Sequence, residues 1–205
     1  LDKADEQDYI ELIYLRAELL ANAGKHKEAN ALLQDHIPER DAYDEDGESE
    51  SRESLSEYLR EVIGLWLDYD NVGLAAEWCD RLRREFRHLT PKDNILLADV
   101  ANAMGQTKTA HHLLQSVIEQ EPYNIEAWNM LAEVYFDEEN YTEAADACET
   151  VLAVDEDNYQ AYTTLVRVHW ATENVDEVFR LCRDARMKWF EDEIIPLYQG
   201  MALSA

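Results

Sequence analysis

Three groups of residues have types and spacings that could do chemistry. Asp44, Asp46, Gly47 and Glu53 fall on positions 3, 5, 6 and 12 of a calcium-binding helix–loop–helix, where carboxylate oxygens would hold a hard cation. Position 1, which should be Asp, is Ala42, and the usual apolar residue at position 8 is Ser49. A loop lacking that first ligand is crippled for calcium. Residues 39–53, eight acids against Arg40 and Arg52, therefore read as a solvated acidic loop. His111 and His112 adjoin on one helix, so they point in different directions and cannot chelate as an i, i+4 pair could. Cys79, Cys148 and Cys182 are the third group, and their spacing assigns them to a core rather than to redox or metal chemistry. No Gly-rich phosphate loop, G-x-S-x-G turn or Cys/His nucleophile pattern is present. The sequence predicts no catalytic residue, no metal and no cofactor.

The elements that position these residues come in a period. Between Pro91 and Asp192 the chain repeats itself every 34 residues. Trp128-x-x-Leu131-Ala132-x-x-Tyr135, followed by Ala144-x-x-x-Cys148, is matched upstream by Leu97, Ala98, Ala101, Ala110, Leu114 and Pro122. Downstream the matching residues are Leu165, Val166, His169, Val178, Cys182 and Phe190. With Ser56, Pro91, Ile125 and Tyr159 as position 1 of successive units, Cys79, Cys148 and Cys182 all stand at position 24. There a thiol acts as a small hydrophobe, and stacked helices lie roughly 10 Å apart, beyond disulfide reach. Reduced thiols suit a reducing compartment, and a cytoplasmic location is expected.

This pattern resembles the tetratricopeptide-repeat family, over about residues 8–205 and most specifically over 91–192. It departs from the family pattern at position 32, where Glu156 and Phe190 replace Pro. The resemblance implies an all-α fold, a right-handed solenoid of stacked antiparallel helix hairpins forming a single array. The hairpins are expected at about 8–37, 54–90, 91–124, 125–158 and 159–192, with a partial sixth at 193–205. It also implies that positions 2, 5, 9, 12 and 13 of each first helix face an inner groove. That set contains Tyr14 and Glu18, Arg60 and Leu67, then Lys92, Asp99 and Asn102. It continues with Asn129, Glu133, Phe136 and Asp137, and with Thr163, Arg167 and Trp170. Phe136 and Trp170 share position 12 in adjacent units and would make an aromatic shelf, the kind of anchor that dominates peptide recognition. Asn102 and Asn129 flank it and could hydrogen-bond an extended backbone.

Charge narrows the partner. Asp plus Glu number 45 against 18 Lys plus Arg, a formal net charge of -27. Such a field repels phosphate backbones, so nucleic acid is not expected as a partner. It also disfavours the carboxylate-clamp mode of the family, because Asp99, Glu133 and Asp137 outnumber Lys92 and Arg167 on the groove set. A basic or neutral protein segment with an apolar anchor fits better. Arg81, Arg83, Arg84 and Arg87 form the one basic cluster, on a second helix, where they are expected to pair with neighbouring acids. No uncharged apolar run reaches membrane-spanning length, and the polar start reads as no secretory leader. Because the sequence opens without Met and stops inside a helical pattern, both ends are expected to be boundaries within a longer chain. The expected function is a non-catalytic protein- or peptide-binding scaffold. The alternatives are a regulatory receptor for a short peptide signal, or an accessory subunit of a larger assembly.

Overall fold

In the computed structural model, residues 3–38, 50–189 and 200 are described. They form ten helices and, among the described residues, no strand. In order these are α1 (Lys3–Asn22), α2 (His26–Asp35), α3 (Glu50–Asp68), α4 (Val72–Glu85), α5 (Pro91–Ala103), α6 (Thr107–Gln120), α7 (Ile125–Asp137), α8 (Tyr141–Val154), α9 (Tyr159–Ala171) and α10 (Val175–Lys188). The expected all-helical class is what the structure shows. The helices group into two compact units, Leu1–Met104 and Gly105–Ala205. The first contains α1 to α5 and the second α6 to α10.

Helix starts follow the side chains. Asn71, Asn124 and Asn158 each accept a hydrogen bond from the backbone N–H three residues on, which satisfies a donor the helix itself leaves open. Thr90 and Asp93 make a reciprocal capping box around Pro91. The reversal inside each hairpin is equally regular. Gly24, Asp70, Gly105, Glu139 and Glu173 all have positive φ, and all occupy position 15 of their units. In four of the five, the following N–H reaches back five residues: Lys25 to Leu20, Asn71 to Trp66, Asn140 to Tyr135 and Asn174 to His169. This closes the first helix with a Schellman motif. The same register in the first hairpin as in the fifth means that one numbering serves them all.

Packing follows the small residues. Ala29, Ala75 and Ala144 are fully buried where the two helices of their hairpins pack, Ala110 of α6 is fully buried, and Ala132 is buried in the fourth hairpin. Cys79, Cys148 and Cys182 are free and buried. Burial pushes the thiols of Cys79 and Cys148 up to about 12, so they remain protonated, apolar fillers. In the second unit, Ala147, Cys148 and Val151 of α8 share one core with Ala161, Leu165 and Val166 of α9 and with Val178, Leu181 and Cys182 of α10.

Part of the sequence reading falls elsewhere. Residues 39–49 of the expected acidic loop, and the expected sixth hairpin apart from Gly200, lie outside the described residues. α3 begins at Glu50, so the last four residues assigned to that loop are helical backbone, the opening turn of the helix that carries Leu59 and Val62.

Two substitutions test this architecture. Glu139→Gly combined with Glu173→Gly should raise stability by about 1 kcal/mol, because only glycine takes the left-handed region without strain. Ala144→Leu should lower it by roughly 1–3 kcal/mol through overpacking at the helix crossing. Urea denaturation followed by circular dichroism measures both, and an unchanged midpoint for Ala144→Leu would mean the crossing lies elsewhere.

Candidate binding faces

The first helix of each hairpin carries the expected groove residues, and they are best described unit by unit. In the unit Gly105–Ala205, α7 and α9 lie side by side, one period apart. Glu133 of α7 accepts a hydrogen bond from the Thr164 hydroxyl of α9 at 2.6 Å. Both of its carboxylate oxygens also accept from Nη1 of Arg167, at 2.9 and 2.7 Å. The guanidinium carbon of Arg167 sits 4.2 Å from the centroid of the Phe136 ring, a cation–π geometry. The edge of that ring meets Tyr141 of α8, with centroids 5.6 Å apart. Charge, hydrogen bond and ring therefore form one connected group across two hairpins, with the acid and the arginine still partly exposed.

The structure thus brings Glu133, Phe136 and Arg167 together, and Asp137 stands exposed beside them. The shelf is not a bare pair of rings. Phe136 lies under Arg167, while Trp170 is half-buried against the core of its own unit. Asn129 departs from the sequence expectation: it is 6% exposed, and its amide nitrogen donates to Asn158 Oδ1 at 3.1 Å. It braces the cap of α9, since Asn158 Oδ1 also accepts from the Ala161 N–H. His111, excluded above as a chelator, meets the Tyr135 hydroxyl at 3.0 Å. Burial lowers the His169 imidazole below its usual value.

In the unit Leu1–Met104 the corresponding face is acidic. Tyr14 donates to the Glu61 carbonyl at 3.3 Å, and burial together with Glu61, Glu18 and Asp68 pushes its phenol up to about 12. Asp99 is half-buried and has Asp68 near it. Burial, and then that second acid, push its carboxyl above the ordinary range. Asp99 has no hydrogen-bonding or ion-pairing side chain among the described residues. Asn102 lies one turn further along α5 and is half-buried. Arg60, by contrast, is engaged. Its Nη1 donates to Ser56 Oγ at 2.8 Å and to Asp93 Oδ1 at 3.0 Å, tying α3 to the cap of α5. On α4, Arg81 pairs with Glu85 and Arg83 with Asp80 as expected, whereas Arg84 Nε donates to the Asp80 carbonyl rather than to an acid, and Arg87 stands beyond the end of the helix.

Asp68, Glu61 and Thr164 were absent from the expected set. Asp68 stands at position 13 of its unit and was open to the same register argument. Glu61 and Thr164 both stand at position 6, which leans towards the preceding hairpin, and only the packing shows that it touches the groove residues there. Among the described residues no cluster of His, Cys, Asp and Glu could hold a metal ion. Among them, no helix is long and apolar enough to cross a membrane.

Comparison with known proteins fits this geometry. The family model for anaphase-promoting complex, cyclosome, subunit 3 matches residues 68–151, and one described as TT21 fifth ARM repeats domain matches residues 125–200. No curated protein matches the chain significantly. A tetratricopeptide-repeat protein from Parabacteroides merdae superposes with a TM-score of 0.69 at 14% identity, over 94% of this chain and 72% of that one. A thermophilic repeat protein from Thermus thermophilus gives 0.68 at 16% identity, over 98% of this chain and all of the other. The chain has the tetratricopeptide-repeat fold. YrrB, described as a tetratricopeptide-repeat protein with an unusual peptide-binding site, superposes with a TM-score of 0.62 at 16% identity, over 97% of this chain and 96% of that one. The Cut9–Hcn1 hetero-tetramer of the anaphase-promoting complex gives 0.66 at 16%, over 91% of this chain but 35% of the matched one. Within the tetratricopeptide-repeat fold, position 9 here carries Asp99, Glu133 and Arg167 in successive hairpins.

The raised carboxyl of Asp99 has a testable sign. A folded-state value above the unfolded one penalises the native state at every pH where the unfolded carboxyl is ionised. Asp99→Asn should therefore raise the melting temperature at pH 7, and the gain should vanish as pH falls below the ordinary carboxyl value of 3.8. Melting curves from pH 3 to pH 7 measure it, and equal gain at both ends would show that charge is not the cause.

Proposed function

We propose that this chain is a non-catalytic protein- or peptide-binding scaffold that takes basic or neutral segments carrying an apolar anchor. The observation that carries this reading is Asp99. It is a half-buried carboxylate at a groove position, close to a second acid and with no cation of its own. Such a group lacks in the free protein what a lysine or arginine of a ligand would supply. Tyr14, Glu18 and Asp68 belong to the same unit and give that face the same sign. The other unit, taken by itself, carries a different chemistry. Phe136, its Arg167 cover and half-buried Trp170 offer apolar area beside Asp137, with the arginine held in place by Glu133. Rigid aromatic and arginine groups of this kind supply most of the energy in peptide recognition. The net charge of -27 supports the choice of ligand and argues against nucleic acid. Proteins of the same fold give the reading a precedent, YrrB through its peptide-binding site and Cut9–Hcn1 through its assembly. By this reading the thiols and carboxylates are structural or electrostatic, with no chemical step to perform.

Fluorescence titration with a set of short basic, neutral and acidic peptides, each carrying one leucine or aromatic anchor, tests the proposal. Basic peptides should bind best, and their affinity should fall as salt rises from about 0.05 to 0.5 M and the Debye length shrinks. Trp170→Ala should weaken binding about tenfold or more if the ring is a hot spot. Asp99→Asn should weaken it less and flatten the salt dependence. Arg83→Ala with Arg84→Ala, on α4, should leave binding unchanged. Equal affinity for acidic and basic peptides would sink the proposal, and Asp99→Asn keeps the test decisive if Trp170→Ala disturbs the fold.

A further inference from the structure

In the unit Leu1–Met104, the second helices of the first two hairpins leave a cleft between them. Its volume is about 240 Å³, and it is lined by Gln34 of α2 and by Glu77, Trp78, Asp80, Arg81 and Arg84 of α4. The repeat itself does not call for this set. At positions 23, 26 and 29, where the second hairpin has Trp78, Arg81 and Arg84, the third has Leu113, Ser116 and Glu119, and the fifth has Leu181, Asp184 and Met187. No other hairpin joins an indole to two guanidinium groups there.

The cleft wall is held by contacts of its own. Trp78 Nε1 donates to Asn30 Oδ1 at 2.7 Å, and its ring meets the Tyr58 ring edge to face with centroids 6.3 Å apart. The guanidinium carbon of Arg81 lies 6.0 Å from the Trp78 centroid, within cation–π range. The hydrogen bonds of the two arginines are less complete. Arg81 Nε is buried with no hydrogen-bond partner, and Glu85 Oε1, at 3.9 Å from it, is beyond hydrogen-bonding reach. Arg84 donates through Nε to the Asp80 carbonyl, while the Asp80 carboxylate pairs with Arg83. Two forked cations therefore border the cleft with N–H groups still open. Glu77 stands beside them, exposed and with no cation paired to it among the described residues.

We propose that the α2/α4 cleft binds the head group of a free α-amino acid. Size sets the first limit. A cleft of about 240 Å³ is smaller than the roughly 300–1,000 Å³ of sites for drug-sized ligands, and it suits a group the size of one residue. Charge sets the second. A guanidinium fork matches a carboxylate, whose two oxygens accept paired N–H bonds. A bare anion would meet Glu77 as like charge. A zwitterion turns the same Glu77 into a partner, because its ammonium donates to that carboxylate while its own carboxylate faces the arginines. The Gln34 amide adds one more donor or acceptor. The cleft uses no groove residue, and the assignment stands apart from the peptide-binding reading.

Titration of the whole chain with alanine near neutral pH, followed by the Trp78 indole N–H in amide-correlation NMR spectra, tests this. The resonance should shift saturably with a dissociation constant of about 1 mM, a tightness within reach of so small a ligand. N-acetylalanine lacks the ammonium and alaninamide lacks the carboxylate. Both, together with inorganic phosphate, should bind about tenfold or more weakly. Glu77 and Arg84 are exposed, so substituting them leaves the fold intact. Arg84→Gln should weaken alanine about tenfold or more through the lost charge-assisted bonds. Glu77→Gln should weaken alanine yet strengthen N-acetylalanine, a reversal that a purely structural Glu77 would not produce. The groove variants Trp170→Ala and Asp99→Asn should leave alanine binding unchanged, which keeps failure here distinct from failure of the peptide reading. Absence of a saturable shift with alanine overturns the proposal. So does equal binding of alanine and any of the three analogues, which would reduce the cleft to a general ion patch.

Discussion

Within each unit the helix hairpins complete the burial of their apolar surface by lying against a neighbouring hairpin, and the rest of the structure depends on that constraint. A single hairpin offers Ala, Val, Leu and Cys along one stripe and has no second layer of its own. Closing that stripe takes a neighbour set at a fixed height and rotation. Within a hairpin the second helix is placed by the reversal at position 15, where a residue in the left-handed region ends one helix and the next starts within two residues. The left-handed residue recurs at the same position of each hairpin, and the back-reaching bond recurs in four of the five.

Once the offset is set, side chains one period apart meet. Glu133 and Arg167, both at position 9, become an ion pair because α7 and α9 lie one repeat apart. Arg60 and Asp93 do the same between α3 and α5, where the acid also serves as part of a helix cap. Such pairs have a structural side and a chemical side. They hold the stack in register, and they leave the arginine fixed over an aromatic ring, where its remaining N–H groups have a set direction. Asp99, at the same position in the other unit, has no such counterpart. One repeated position therefore gives a satisfied pair in one hairpin and an open carboxylate in another.

Much of the fold was legible in the residues. The 34-residue spacing, the small residues Ala132 and Ala144 of the fourth hairpin, and the thiols at position 24 placed the helices and the core. The periodic pattern is a direct consequence of burial on a 3.6-residue helix. The candidate faces were only partly legible. Register set Phe136 and Glu133 on one helix and Arg167 one period later, but it could not show that Arg167 covers Phe136, or that the Asn129 amide meets the Asn158 cap. Those outcomes depend on which neighbouring group lies within about 3 Å, the reach of a hydrogen bond.

By itself, then, the sequence determined the hairpins, their period, the buried small residues and the acidic character of the surface, because each is written in local spacing and composition. The start of α3 at Glu50 needed the structure, since a run of Glu and Ser has no apolar period and is helical there as the opening turn of a longer amphipathic segment. The pairing of Glu133 with Arg167 and the exposure of Leu12 and Leu19 were likewise decided by tertiary contact. A leucine stripe on an amphipathic helix looks the same in sequence whether a neighbour covers it or not. Only the presence or absence of the packed neighbour decides which it is.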